Sequence, residues 1–269
     1  MLTLNQSFEH DGRRIAWGRI GEGEPLVLIH GWPFSSQVWR RIAPWLARGR
    51  SVFFFDLPGM GASEKAAAVD PASHDPVLAA LLGHWGLERP EIVAHDFGGL
   101  AALRGHFLGG LQYRRLTLID PVAVLPSGSP FFRHVREHEA AFAGLPAYAH
   151  EALFQAYIQQ AAARPLSAEA REIYAAPFRG EAGQAAFYRY IAQTDEAYVA
   201  ELERRYGRPP FPVRLVWGAE DSFIPPSFGE RLAGLIGAAP PLLVPGAAHL
   251  VQEDAPEAIL AALLGPSGA

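Results

Sequence analysis

The stretch Ile92-Val93-Ala94-His95-Asp96-Phe97-Gly98-Gly99-Leu100 constrains this chain more than any other. An apolar β-type run ends in a turn of the form small–x–Asp–x–small, and a helix-like segment follows. Such a turn takes a strand into a helix within a few residues, and its small residues let the backbone pass close to its neighbours. The side chain at the tip is displayed at the carboxyl end of a sheet. Here the tip is Asp96. A serine there would have to lose a proton before attacking an acyl carbon. A carboxylate is already ionised at neutral pH. Asp96 therefore suits displacement at a saturated carbon, such as an epoxide carbon or one bearing a halogen; attack on an ordinary ester carbonyl would give an anhydride.

The rest of the chain alternates in the way such a turn requires. Arg14 to Ile20 alternates like a strand. Pro25-Leu26-Val27-Leu28-Ile29-His30, Ser51-Val52-Phe53-Phe54-Phe55-Asp56 and Arg115-Leu116-Thr117-Leu118-Ile119-Asp120 are continuous apolar runs, as expected of strands covered on both faces. Helices are predicted over 39–46 and 76–85. Strands alternating with helices imply an α/β fold with a mostly parallel central sheet flanked by helices. From about residue 123 to 206 no buried strand is evident, and helical spacing is read over 142–160 and 183–205. The sheet pattern resumes at Val213-Arg214-Leu215-Val216-Trp217 and Pro241-Leu242-Leu243-Val244, and a closing helix is read over 255–264. The expected division is core over 1–122, a helical cap insertion over 123–206, and core again over 207–269, with residues 265–269 frayed.

Composition narrows the partners. The 269 residues carry a net charge of −5 with no long basic run, which argues against nucleic acid. There is no cysteine, so disulfides and Cys-based metal sites are excluded. No zinc-type histidine spacing is read, so no metal and no cofactor is expected. Residues 1–6 do not resemble a cleavable leader, and no charge-free apolar stretch reaches membrane-spanning length. The expectation is a cytoplasmic protein that meets a small apolar organic substrate and water, without nucleic acid or membrane; a homodimer is left open.

Three further strand ends would converge with Asp96, since open α/β sheets bind ligands at the carboxyl ends of their strands. His30-Gly31-Trp32-Pro33 follows one strand, Asp221 lies in the loop after another, and Pro245-Gly246-Ala247-Ala248-His249 follows the last. The order Asp96, Asp221, His249 is nucleophile, acid, histidine. With these motifs the chain resembles the α/β-hydrolase superfamily over nearly its whole length. His95-Asp96-Phe97-Gly98-Gly99 is most similar to the Asp-nucleophile branch of epoxide hydrolases and of haloalkane and haloacid dehalogenases, and His30-Gly31-Trp32-Pro33 to their oxyanion motif. The resemblance implies that Asp96 forms a covalent alkyl ester. His249, oriented by Asp221, then activates the water that hydrolyses it, and the backbone N–H groups of Trp32 and Phe97 hold the oxyanion. Asp120 is a rival to Asp221, because some members of the branch draw their acid from that strand end.

The leaving group separates the readings. An epoxide oxygen needs a proton donor, for which tyrosine is suited; a halide needs N–H donors. Haloalkane dehalogenases commonly carry Trp directly after the nucleophile and Asn in the oxyanion motif, where this chain has Phe97 and Trp32. Ala186-Phe187-Tyr188-Arg189 is similar to the Tyr-Arg element in epoxide hydrolase caps, so Tyr188 is expected to point at the nucleophile. A second donor is sought among Tyr148, His150 and Tyr157, with His150 and Tyr148 preferred. The sequence thus reads first as an epoxide hydrolase that forms a diol. A dehalogenase comes second, and a ligand-binding or non-hydrolytic member of the fold third.

Overall fold

The computed structural model describes residues 1–65 and 70–265. Of the tail expected to fray, 266–269 lie outside the described residues. The centre is an eight-stranded sheet in the order β1-β2-β4-β3-β5-β6-β7-β8. Its strands are β1 (Gln6–His10), β2 (Arg13–Ile20), β3 (Glu24–Ile29), β4 (Arg50–Phe55), β5 (Glu91–His95), β6 (Arg115–Ile119), β7 (Val213–Gly218) and β8 (Leu242–Val244). β1, β2 and β4 pair antiparallel. From β4 through β3, β5, β6 and β7 to β8 every pairing is parallel. Leu26, Val27, Leu28 and Ile29 of β3 and Ile92, Val93 and Ala94 of β5 are wholly buried, because helices cover both faces of the parallel part. β1 goes unread in the sequence because its residues are half-buried or exposed.

The helices are α1 (Ala43–Leu46), α2 (His74–His84), α3 (Phe97–Phe107), α4 (Pro130–Glu137), α5 (Glu139–Ala143), α6 (Ala147–Gln160), α7 (Ala168–Ala175), α8 (Gly180–Gln193), α9 (Ala197–Glu203), α10 (Pro226–Ile236), α11 (Val251–Asp254) and α12 (Pro256–Leu264). None among the described residues is long and apolar enough to cross a membrane. Helices α4 to α9 all fall between β6 and β7.

Several helix expectations need correction. The run over 39–46 is a tight 3-10 turn at Ser36–Trp39 followed by the single turn of α1, which begins with Pro44 near its start. The run over 142–160 is cut by Gly144 and Pro146, since proline cannot continue a helix through its own nitrogen. The run over 183–205 is cut at Thr194, whose extended backbone ends α8. α4 and α7 fall inside the expected helical cap but outside its two helical runs; each starts from a serine, Ser129 or Ser167, whose hydroxyl accepts a backbone N–H of the first turn.

Candidate active site

Asp96 stands at the tip between β5 and α3 with φ 51° and ψ −122°, a backbone conformation that side chains other than glycine rarely adopt. The turn holds it there. The Asp96 carbonyl accepts N–H groups from Gly99, Leu100 and Val122 at 2.9, 3.2 and 3.2 Å. Gly98 is required by close approach: a Cβ there would lie 2.4 Å from the His30 carbonyl oxygen. The same holds for Gly31, where a Cβ would lie 2.3 Å from Asp96 Oδ2.

Five adjacent parallel strands bring their carboxyl ends together here. After β3, the Trp32 N–H donates to Asp96 Oδ2 at 2.9 Å. His30 fixes that loop: its Nε2 accepts the Leu57 N–H at 2.9 Å, which leaves Nδ1–H to donate to the Gly31 carbonyl at 2.8 Å. After β8, His249 Nδ1 donates to Asp221 Oδ2 at 2.8 Å, and its Nε2 lies 3.6 Å from Asp96 Oδ1. Asp221 itself is held by Phe223 and Ile224 N–H groups on Oδ1, at 2.7 and 3.0 Å. His95 Nε2 donates to the His249 carbonyl at 2.9 Å, so it braces the histidine loop. Asp120, after β6, accepts the Gly218 N–H on Oδ1 at 2.9 Å.

Electrostatics tune these groups against one another. Burial pushes the Asp96 carboxyl up to about 6, against the pull of His249 and of the Phe97 and Trp32 N–H groups. That is higher than the turn at a helix start alone would give, yet it leaves Asp96 mostly ionised at pH 7. For His249, burial works to lower the pKa, but Asp221 and then Asp96 outweigh it and the net shift is upward. The arrangement offers a carboxylate for attack, a histidine on its flank, and backbone N–H donors on the far oxygen.

A small cavity opens above Asp96. Phe97, Val122, Phe132, Phe223 and Ile224 make it mainly apolar, with Trp32, Tyr157, Thr194 and His249 among its polar-tipped walls. The expected cap donors are not in this wall. Tyr188 is wholly buried, but its hydroxyl pairs with His150 Nδ1 at 3.0 Å, and its ring packs on Phe142. His150 Nε2 is spent on the Phe178 carbonyl at 3.0 Å. Tyr148 is 80% exposed. The reason is helical phase: Tyr190 is two residues beyond Tyr188, about 200° round the helix. Tyr190 stacks on Trp32 (5.5 Å, 6°) and meets Phe97 edge-on, and its buried hydroxyl has no partner among the described residues. Tyr157, from α6, lines the cavity between Trp32 and Phe223. Burial first, and then the charge of Asp96, hold both phenols well above their ordinary range, so both stay protonated at neutral pH.

The expectation of no zinc-type spacing fails in one place. His134-Val135-Arg136-Glu137-His138 has His-x₃-His spacing. Ligand atoms of His134, Glu137 and His138 lie within 4.8 Å of one another on the exposed side of α4, where they could hold a divalent cation. Asp120, Asp221 and His249 meet the same distance criterion, but His249 Nδ1 is engaged by Asp221.

Comparison with known proteins agrees with this fold. Residues 26–262 match the family described as the alpha/beta hydrolase family. The chain is similar to an α/β-hydrolase fold protein from Burkholderia ambifaria, with TM-score 0.97 and 56% identity over 99% of each chain. It is 32% identical over 123 residues to a soluble epoxide hydrolase from Corynebacterium sp., covering 45% of this chain and 43% of that one. It is 38% identical over 98 residues to a haloalkane dehalogenase from Sphingobium indicum, covering 34% of this chain and 33% of that one. The aligned part thus spans less than half of either of these two curated relatives.

Proposed function

Because the chain belongs to the α/β-hydrolase family, we propose that it hydrolyses a small to medium apolar epoxide to a diol through an ester on Asp96. The observation that carries this is the Asp96 carboxylate set between the Trp32 N–H and His249 Nε2, where a family nucleophile would stand. An Asp96 oxygen attacks an epoxide carbon, the ring C–O bond breaks, and Tyr157 protonates the departing oxygen, with Tyr190 as the second donor near the same charge. His249 then takes a proton from water as the water oxygen attacks Asp96 Cγ. The N–H groups of Trp32 and Phe97 stabilise the oxyanion; losing one such donor typically costs roughly 10²–10³ in rate. As the ester breaks, one water proton passes through His249 to the second diol hydroxyl, and the other restores the phenol. The two protonated tyrosines by Asp96 favour an epoxide, and the similarity to a soluble epoxide hydrolase supports it.

Dehalogenation is the second reading. It is favoured by the Trp32 indole N–H, which is buried beside the cavity with no partner among the described residues, and by the stretch similar to a haloalkane dehalogenase. In both readings His249→Gln should form the ester and hydrolyse it slowly. Intact-protein mass spectrometry with a panel of epoxides, haloalkanes and fluoroacetate should then find a substrate adduct on the peptide containing Asp96. An adduct elsewhere, or none with a substrate that the wild type turns over, would sink the covalent mechanism. Turnover of carbon–halogen substrates alone would select the dehalogenase.

A further inference from the structure

Two carboxyl groups stand behind His249, and the chemistry above uses one. β6 and β7 pair in parallel, so their ends set Asp120 beside Asp221. Both are shut off from solvent. An oxygen of each and a ring nitrogen of His249 all lie within 4.8 Å of one another. Where two buried carboxyl groups share a site, their repulsion favours a proton on one of them. The hydrogen bonds divide unequally. Asp221 receives three: Phe223 and Ile224 N–H on Oδ1, and His249 Nδ1 on Oδ2. Asp120 receives Gly218 N–H on Oδ1, and its buried Oδ2 has no donor among the described residues. The chain also adopts φ 42° at Asp120, in the left-handed region that residues other than glycine seldom occupy.

We propose that Asp120 is a neutral carboxylic acid whose Oδ2–H donates to the Asp221 carboxylate, making it a positioning residue for the Asp221–His249 pair. The proton satisfies the one oxygen that the backbone leaves bare, and it removes the repulsion between the two acids. It also adds a fixed fourth hydrogen bond to the group that orients His249. The titratable groups facing Asp120 are Asp221 after β7, Asp96 at the tip after β5, and His249 after β8. Burial, then the charge of Asp221, and last that of Asp96 hold the Asp120 carboxyl well above the ordinary carboxylate range. The effect on turnover rests on the reading of His249 as the base; the protonation of Asp120 does not.

Asp120→Asn tests this directly. The amide is neutral, has nearly the same shape, accepts Gly218 N–H through its oxygen and donates to Asp221 through its nitrogen. The infrared difference spectrum between wild type and Asp120→Asn at pH 7 should show the carbonyl stretch of a protonated carboxyl in the wild type alone. A carboxylate signal instead would overturn the proposal. The His249 Nδ1–H proton resonance of the unliganded protein should be unchanged in Asp120→Asn and shifted or broadened in Asp120→Ala. With a substrate, Asp120→Asn should keep kcat and its pH profile close to wild type. Asp120→Ala should lose on the order of 10- to 100-fold in kcat with little change in KM, as small misplacements of catalytic groups do. Equal damage from Asn and Ala would overturn the positioning role. If ester chemistry itself fails, the infrared and proton-resonance results still decide the state of Asp120. Should Asp120→Ala not fold, the wild-type and Asp120→Asn spectra suffice.

Discussion

Removing one oxygen from Tyr157 and from Tyr188 should have opposite consequences. Tyr157 lines the cavity over Asp96, so Tyr157→Phe keeps the ring and loses a donor used mainly in the transition state. Ester formation from an epoxide should slow by roughly 10²–10⁴, nearer the lower figure if Tyr190 compensates, with ester hydrolysis little changed. Pre-steady-state kinetics separates the steps; an unchanged alkylation rate would take Tyr157 out of the reaction. Tyr188→Phe breaks a contact inside the cap, its pairing with His150, so it should cost about 1–3 kcal/mol of stability and leave alkylation alone. Asp96 makes a separate prediction through pH. Its folded value of about 6 lies above the ordinary carboxylate value, so the charged form is disfavoured in the folded protein. The destabilisation appears as pH rises from about 4 to about 6 and is complete above that. Asp96→Asn should therefore be more stable than wild type at pH 7, by up to about 3 kcal/mol, while the two converge near pH 4. Denaturant titration at both pH values measures this, and a constant gap would refute it. In the wild type, kcat/KM should fall as pH drops through about 6, because attack needs the ionised form.

At the scale of elements, the approach of two turns sets Asp96, the proposed nucleophile. Gly31→Ala would place a methyl group 2.3 Å from Asp96 Oδ2 and 2.4 Å from Asp96 Cβ, so the two turns must move apart to admit it. Gly31 does not have a positive φ, so the backbone bears alanine without strain of its own. The variant should show a lowered Tm and lose roughly 10²-fold or more in alkylation rate. Wild-type rates would mean that the loop yields without shifting the carboxylate. The same turns explain what the sequence could show. Strands β3 to β7 are legible because burial on both faces writes them as unbroken apolar runs, and the small residues around Asp96 mark the turn itself. Histidine and acid follow from their place after strand ends. The cap is a different case. α8 buries Phe187, Tyr188, Tyr190 and Ile191 together, so no polar stripe reveals which side meets the cavity. Choosing Tyr188 over Tyr190 or Tyr157 needs the helix phase, which depends on contacts from α4, α5 and α6 far off in sequence. His134 and His138, by contrast, are legible from their spacing alone.

Across the whole molecule, the helices between β6 and β7 must stay registered over the strand ends, because the proposed proton donors and the nucleophile come from different parts of the chain. Charged groups at the seams supply that registration. Arg104 of α3 binds Asp75 of α2, the Tyr198 carbonyl and Glu201 of α9. On the other side, Glu253 of α11 takes Arg40 through both oxygens and also accepts the Tyr174 hydroxyl of α7. The Arg40 and Glu253 side chains are only 10% and 9% exposed, so removing one partner strands the other's charge away from water. Glu253→Ala should destabilise by about 3–5 kcal/mol, the usual range for breaking a buried pair. Replacing both, Arg40→Met with Glu253→Leu, should recover most of that, since no unpaired charge remains. Thermal denaturation of the two variants gives the ranking. The kinetic readout is sharper. If this network registers tyrosine against carboxylate, Glu253→Ala should slow alkylation, where Tyr157 acts, more than ester hydrolysis, where His249 and the backbone amides act. Equal loss in both steps would mean that the network contributes only stability and that the cap finds its place over Asp96 by apolar packing.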